Sequence, residues 1–435
     1  MNLEKAITML PDLLDHFLIS TTQATATAGV AFTNNVIVTA YDQWDNVKTD
    51  YVGNVYFTST DGQAVLPYVL ASQYSFTVLD AGAHTFTASG FNLRTTGNQT
   101  ITITDGSISD TTGNIAVGPG ILGSFTVTGE PSEATAGTPF ATPANDIVVT
   151  AKDAYGNTKT NYTGSVWFSS SDLNENVALP ATEASKYTFT TGGGSDNGVH
   201  TFAGSGFTLI TANQNQTLTL TDGAGAGADV NKTIYINPTV IDHFGLADYP
   251  EAGGTEFATA GYDFATAGGD GSPYDVVVTA YDEFENIKTD FTGVVWFTVD
   301  DGVVSTFTYN SDSNYYTFTE NGGSPRDEKS DEYDNGVHIF NASDFQIDTA
   351  GQSLNFYVDS TGDLESQFSV YIRPAGTASV DISIAPPLST KLVDTELTES
   401  VTVTLYDTAG NLKTEFVGEV WFTSSDAMAN IPYTE

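Results

Sequence analysis

One segment occurs four times in this chain. It reads VIVTAYDQWDNVKTDYVGNVYFT from Val36, IVVTAKDAYGNTKTNYTGSVWFS from Ile147, VVVTAYDEFENIKTDFTGVVWFT from Val276 and VTVTLYDTAGNLKTEFVGEVWFT from Val401. Measured between the shared asparagines Asn46, Asn157, Asn286 and Asn411, the segment returns every 111 to 129 residues. A rung of a solenoid is 20 to 50 residues long, so this period is that of a whole domain. A chain of 435 residues with such a period is a string of domains, and each copy must do the same structural job.

Read back from the shared aspartate (Asp42, Asp153, Asp282, Asp407), every second residue is Ala, Leu, Val or Ile, and the residues between are mostly Thr, Tyr or Lys. That alternation describes a strand with one buried face. After the shared glycine (Gly53, Gly164, Gly293, Gly418) the second and fourth positions are always Val and Phe, which places Val55 with Phe57 and their counterparts in a core. Tyr56, Trp167, Trp296 and Trp421 then face outward, either as a contact surface or, as expected here, packed under a neighbouring loop. In the first unit seven strands are expected, near 15–20, 36–41, 54–59, 74–78, 84–88, 99–104 and 115–122, with almost no helix. Short antiparallel strands at about 110 residues to a unit predict an all-β protein of tandem immunoglobulin-like β-sandwiches. The repeated segment is then the second strand, the turn and the third strand of each.

The pattern VTAYDxxxNxKTDxxGxVWFTSSD, followed by YTFT, DNGVHTF and QTLTLTD, resembles the immunoglobulin-like repeats of bacterial and archaeal surface proteins, among them surface-layer proteins and large adhesins. The resemblance runs from Leu13 onward. It implies the fold strongly and the function weakly, because such repeats serve as spacers, lattice elements and stalks alike. The expected repeats are 13–122, 123–238, 239–374 and 375–435, the last incomplete. AITMLPDLLDHF, ending at Phe17, aligns without a gap on TIYINPTVIDHF from Thr233, so residues 1–12 read as the last strand of a preceding repeat. Two explanations fit: the chain is a window on a longer array, or the strand is donated to a neighbouring subunit.

The charge sharpens the choice of partners. Thirteen Lys and Arg face 54 Asp and Glu, a net −41, while only 15% of residues are charged where soluble proteins average about 25%. A field of that sign repels nucleic acid and attracts cations. There is no cysteine, which removes disulfides, thiolate metal sites and cysteine nucleophiles. No stretch approaches the roughly 18 apolar residues of a membrane helix. Five Asn-x-Ser/Thr sequons, at Asn98, Asn161, Asn215, Asn231 and Asn341, are acceptors for N-glycans on exposed strands and turns, at a number that chance alone would give.

All five histidines sit at repeat positions: His16 and His243 in DHF, and His84, His200 and His338 in AHTF or VH(T/I)F. A catalytic group belongs to one pocket, so a histidine found three times at one strand position reads as a hydrogen-bonded structural group beside a turn. No nucleophile elbow, zinc motif or phosphate loop appears, and no enzyme is expected. The acids form the candidate site. Alternating chain direction puts three turns of each repeat at the end where the chain enters from the preceding one. These turns carry Asp42, Asp45, Asp80 and Asp105 in the first repeat, Asp153, Asp196 and Asp222 in the second, and Asp282, Glu285, Asp334 and Asp359 in the third. Aspartate is a good turn former, but unbalanced carboxylates brought together repel, and calcium, with six to eight oxygen ligands, would offset that repulsion and stiffen the joint. The third repeat inserts GGSPRDEKSDEYDNG from Gly322 at the same end, either a contact for another subunit or a solvated loop. The expectation is an extracellular cell-surface protein that self-assembles into a surface layer or filament, with an adhesin stalk as the alternative.

Overall fold

The computed structural model describes residues 9–225, 227–247, 258–263, 275–299, 305–307, 315–320, 333–360, 365–385, 390, 392, 395–396 and 398–432. The insertion from Gly322 as far as residue 332, and most of the expected N-terminal strand, lie outside them. They fall into two compact units. One holds most of the first two repeats; the other holds the third and fourth together with Thr135–Thr138, Ile210–Asn215 and the chain from Tyr235.

In the first repeat, β1 (Leu14–Ser20), β2 (Thr25–Thr27), β3 (Val36–Asp42), β4 (Asn54–Ser59) and β5 (Tyr74–Ser75) are followed by β6 (Ala83–Phe86), β7 (Gly97–Gln99), β8 (Ile101–Thr104), β9 (Ser109–Thr111) and β10 (Ile115–Gly118). One sheet runs β1-β3-β6 and the other β5-β4-β8-β9, while β10 pairs with β7 and, in parallel, with β2. The seven expected strands are all present, and β2, β7 and β9 are additions. The expected face is the buried one: Val36, Val38 and Ala40 are fully buried, and Val55 and Phe57 meet them in one core with Phe17, Ile101, Ile103 and Phe91. This is the two-sheet immunoglobulin-like sandwich.

The second repeat repeats the plan with β11 (Leu122–Thr128), β12 (Glu133–Thr135), β13 (Ile147–Asp153), β14 (Ser165–Ser170), β15 (Tyr187–Thr188), β16 (Val199–Phe202), β17 (Gln214–Asp222) and β18 (Val230–Asn237). Its sheets are β11-β13-β16 and β12-β18-β17-β14-β15. The third shows Ile241–Ala247, Val276–Asp282 and Val337–Phe340 in one sheet, with Val294–Val299, Gln352–Ser360 and Glu365–Arg373 in the other.

Two details explain why the repeated segment is so constant. The shared phenylalanine meets two other rings edge-on in every complete copy: Phe57 with Phe86 and Phe91, Phe168 with Phe202 and Phe207, and Phe297 with Phe340 and Phe345, all at 4.8–5.0 Å between centroids. The shared glycine carries the ring two residues before it, since a Cβ on Gly53 or Gly164 would lie 2.1 or 2.3 Å from the hydroxyl of Tyr51 or Tyr162. Trp167 lies half-buried, with Lys186 Nζ 4.2 Å above its ring and Gly223 close by, as expected for a residue under a loop.

The fourth repeat departs from expectation. Among the described residues its paired strands are Thr377–Ala385 and Ser400–Asp407, and the segment holding Val420 and Trp421 forms no strand and is half exposed. In the complete repeats this segment bonds to a strand like β8, and no such strand follows here among the described residues. Val380, Ile382 and Val401, on the face that is buried elsewhere, are correspondingly exposed.

The core assignment predicts that Phe168→Ala destabilises by about 3 to 5 kcal/mol, from lost burial and the cavity left behind. Thr150→Ala, outside the core, should cost no more than about 0.5 kcal/mol. Denaturant unfolding of both variants checks the register; equal losses would refute it.

Candidate functional site: the joint between repeats

The strand that opens the repeated segment ends on an aspartate that is almost wholly buried in all four copies. Buried carboxylates require donors, and the turn supplies them. Asp153 Oδ1 accepts the backbone N–H groups of Tyr155 and Asn157, both at 2.9 Å, and Oδ2 accepts Gly120 N–H from the linker at 2.9 Å. Asp42, Asp282 and Asp407 do the same with Asp12, Thr239 and Ala375 of their own linkers. Burial opposes ionisation of Asp42, yet the hydrogen bonds from Asp12, Asn46 and Trp44 prevail and hold its carboxyl at about 2. The third residue after each aspartate is left-handed, with φ of 62° at Asp45, 86° at Gly156, 64° at Glu285 and 86° at Gly410. Asp45 and Glu285 are exposed turn residues, with His16 Nε2 3.6 Å from the Asp45 carboxylate and His243 Nε2 3.7 Å from that of Glu285.

The asparagine four residues after the aspartate completes the site. Asn157 Nδ2 donates to Asp153 and to the carbonyl of Arg94, the latter at 2.6 Å, and its Oδ1 accepts Thr96 N–H at 3.1 Å. The carboxamide therefore matches the C=O of one residue and the N–H of the residue two places on, as a peptide group would across a β-bridge. Asn411 makes the same pair with Asp348 O and Ala350 N, and Asn286 with Ile210 O and Ala212 N. Arg94, Ile210 and Asp348 share no side-chain chemistry, so the clasp reads backbone alone. Beside it, Tyr155 lies on Gly29 and Phe284 on Gly137; a Cβ on either glycine would come within 2.2 Å of the ring. Both glycines are left-handed and end the repeated tetrapeptide ATAG. This clasp was not among the expected sites, although the constant Asn and the ATAG tetrapeptide were its signal.

The expected acidic residues are placed as follows. Among the described residues no three acidic or histidine side chains come together as a group able to hold a metal ion. The turns do meet, since the Asp80–Gly82 turn abuts Lys48, but the carboxylates of Asp80, Asp105, Asp196, Asp222 and Asp334 accept N–H and O–H donors within their own sandwich. Asp80 accepts Thr77 N–H and the Tyr74 hydroxyl, with His84 Nδ1 at 2.7 Å; Asp196 and Asp334 repeat this with Tyr187 and His200, and with Tyr316 and His338. Each histidine ring also lies on its tyrosine, at 4.2, 3.7 and 3.8 Å between centroids, the structural role expected of it. Asp105 accepts Ser107 and Ile108 N–H, and Asp222 accepts the Tyr162 hydroxyl at 2.7 Å. Asp359 is out of register: Ser360, not Asp359, pairs with Val295 as Asp222 pairs with Val166, so Asp359 sits on the outer face and accepts the Thr298 hydroxyl.

No family model and no curated protein matches the chain. Among solved structures it is similar to the Escherichia coli adhesin FdeC, at 15% identity over 85% of this chain and 100% of that one, with a TM-score of 0.36. It is similar to invasin, a bacterial integrin-binding protein, at 14% identity over 84% and 61%, with a TM-score of 0.31. Domains 1–6 of the surface-layer protein SbsC match at 17% identity over 94% and 45%, with a TM-score of 0.24, so the chain spans less than half the length of that structure. The sandwich itself is established by the strand order and register above.

Two predictions follow from the site. Asn157→Ala removes two bonds between repeats, each worth about 0.5 to 1.5 kcal/mol net. Hydrogen exchange should quicken at Thr96 N–H and stay unchanged at Val149; unchanged Thr96 exchange would show that the clasp holds nothing. The second concerns acid. Burial raises the Asp80 pKa, but bonds from Thr77, Tyr74 and His84 outweigh it and hold the carboxyl at about 2, below its ordinary 3.8. Its folded pKa is depressed, so its contribution is complete above about pH 4 and is lost as pH falls toward 2. Urea midpoints between pH 5 and 2 should fall less steeply in Asp80→Asn than in the parent; parallel curves would remove Asp80 as a source of acid sensitivity.

Proposed function

We propose that the chain is a non-catalytic structural protein of the cell surface, a row of sandwiches that assembles into a surface layer or extracellular filament. The observation that carries this reading is the repeated clasp. One carboxylate and one carboxamide recur at each turn, with an aromatic between them at three of the four, and the carboxamides of Asn157, Asn286 and Asn411 each bind the backbone of the repeat before them. A device that recurs at every joint sets the geometry of a scaffold, whereas a binding or catalytic site would be confined to one repeat. The recess beside β2 and β10, lined by Gln23, Thr25, Asn98 and Gly118 among others, holds no acidic or basic side chain. No helix among the described residues is long and apolar enough to cross a membrane. The five sequon asparagines are all exposed, which suits N-glycans on such a surface.

Electron microscopy of the purified protein tests the reading. An ordered two-dimensional lattice or a fibre is the expected result; isolated flexible rods would replace it with an adhesin stalk. Calcium is a separate proposal that rests on the net charge of −41. It predicts a melting temperature raised by calcium more than by magnesium at equal ionic strength, because magnesium demands tighter octahedral geometry. Equal effects of the two ions would mean screening of surface charge alone.

A further inference from the structure

We propose that the end of the first repeat carrying Trp44 and Asn46 is a docking surface for the far end of another sandwich of this class, one presenting an ATAG turn and a backbone segment to be clasped. This inference rests on the reading of the chain as a tandem scaffold. The first repeat has the whole clasp in place. Asp42 holds the turn through Trp44 N–H at 2.9 Å and Asn46 N–H at 3.0 Å, and Asp45 takes the left-handed position. The difference lies in what the clasp touches. Where the Asn157, Asn286 and Asn411 amides each reach a carbonyl outside their own turn, Asn46 Nδ2 is turned back onto the two oxygens of Asp42, at 3.2 and 3.1 Å. Trp44 occupies the position of Tyr155 and Phe284, yet it is 72% exposed while Tyr155 packs against the core of the repeat it clasps.

A second observation comes from the chain just ahead of β1. Met9 is 85% exposed, whereas Ile236, the residue aligned with it, is completely buried in β18, the last strand of the second sandwich. Met9, Leu10 and Leu13 on this segment and Trp44 on the turn are all large, apolar and exposed, the kind of side chain that marks an interaction surface. Its partner is specified by the three existing clasps. All three bond to the C=O and N–H of residues two apart, and two of them, through Tyr155 and Phe284, also lay a ring on a left-handed glycine; polypeptide backbone offers that pattern and a glycan or a nucleic acid does not, and a sandwich end ending in ATAG offers it already folded.

The test adds such an end in front of the full chain. A second copy of residues 123–232 is joined to Ala6, so that residues 6–10 take the place of residues 233–237 in the added repeat. Trp44 is then followed by acrylamide quenching, as the difference between the extended chain and its Trp44→Phe variant. The expected result is a several-fold fall in Trp44 quenching and a blue shift of its emission, both reversed by Asn46→Ala. A Trp44 as accessible as in the unextended chain overturns the proposal. An independent arm needs no extension: in the full chain, Tyr155→Trp should be shielded where Trp44 is not, and Asn157→Ala should expose it. If Tyr155→Trp is quenched as freely as Trp44, the clasp does not cover its aromatic, and the inference falls. Lattice formation is scored separately. Lattices in which Trp44 stays accessible would sink this inference alone, and a shielded Trp44 in an extended chain that forms no lattice or fibre would sink the scaffold reading alone.

Discussion

The carboxylate that ends the second strand of each sandwich is the constraint on which the rest depends. A buried carboxylate without donors would cost several kcal/mol, so the chain around Asp42, Asp153, Asp282 and Asp407 is bent until N–H groups surround it. Two come from the turn and one from the linker that enters the repeat. The same side chain therefore shapes the turn and fixes the path of the incoming chain. Everything at the joint follows from that path, including the place where the asparagine amide and the aromatic ring meet the neighbouring backbone.

Reading a backbone rather than a side chain gives the joint tolerance. Arg94, Ile210 and Asp348 offer the same carbonyl whatever they carry beyond it, so the clasped segment is free to diverge while the clasping turn is not. The glycine of ATAG is the exception on the receiving side. An aromatic ring lies where its Cβ would be, and no other residue both accepts the left-handed backbone and leaves that space empty. The aspartates of the Tyr-Asp-His groups serve stability inside each sandwich instead. They tie the fourth-strand tyrosine to the following turn and the strand after it, which leaves no oxygen lone pair turned toward a neighbouring carboxylate.

The edges of the sandwiches are handled by similar local means. β1 is the outer strand of its sheet, and the Asp110 carboxylate accepts Ile19 N–H from it at 2.7 Å. A capped donor on an outer strand is poorly suited to pairing with another chain. In the second repeat β17 and β18 flank one another over a longer run; in the first, the corresponding stretch is divided among β7, β8, β9 and β10, and that division brings Asp110 to the edge. The opposite case is the fourth repeat, where two paired strands keep Val380 and Ile382 in solvent because the sheet that covers their equivalents in the other repeats is not formed.

The sequence by itself determined the all-β class, the repeat, the buried face of the second and third strands and the structural role of the histidines. Each is written in short-range pattern: alternation of period two, a constant Val and Phe after a constant Gly, and recurrence of the whole at domain length. Turn chemistry was also legible, since Asp followed by Asn at a spacing of four announces a side chain that caps its own turn. What only the tertiary structure decided is where the side chains of those turns point. Chain direction brings three acidic turns to one end, but whether carboxylates face each other or their own N–H groups depends on χ angles and on the donors within 3 Å, and those are set by packing. The register of Asp359 was settled in the same way, because a strand shifted by one residue moves its side chains to the other face. The clasp lay in plain view as a constant asparagine, yet its partner is a backbone carbonyl 63 residues earlier at Arg94, and backbone leaves no mark in the sequence that a residue pattern could reveal.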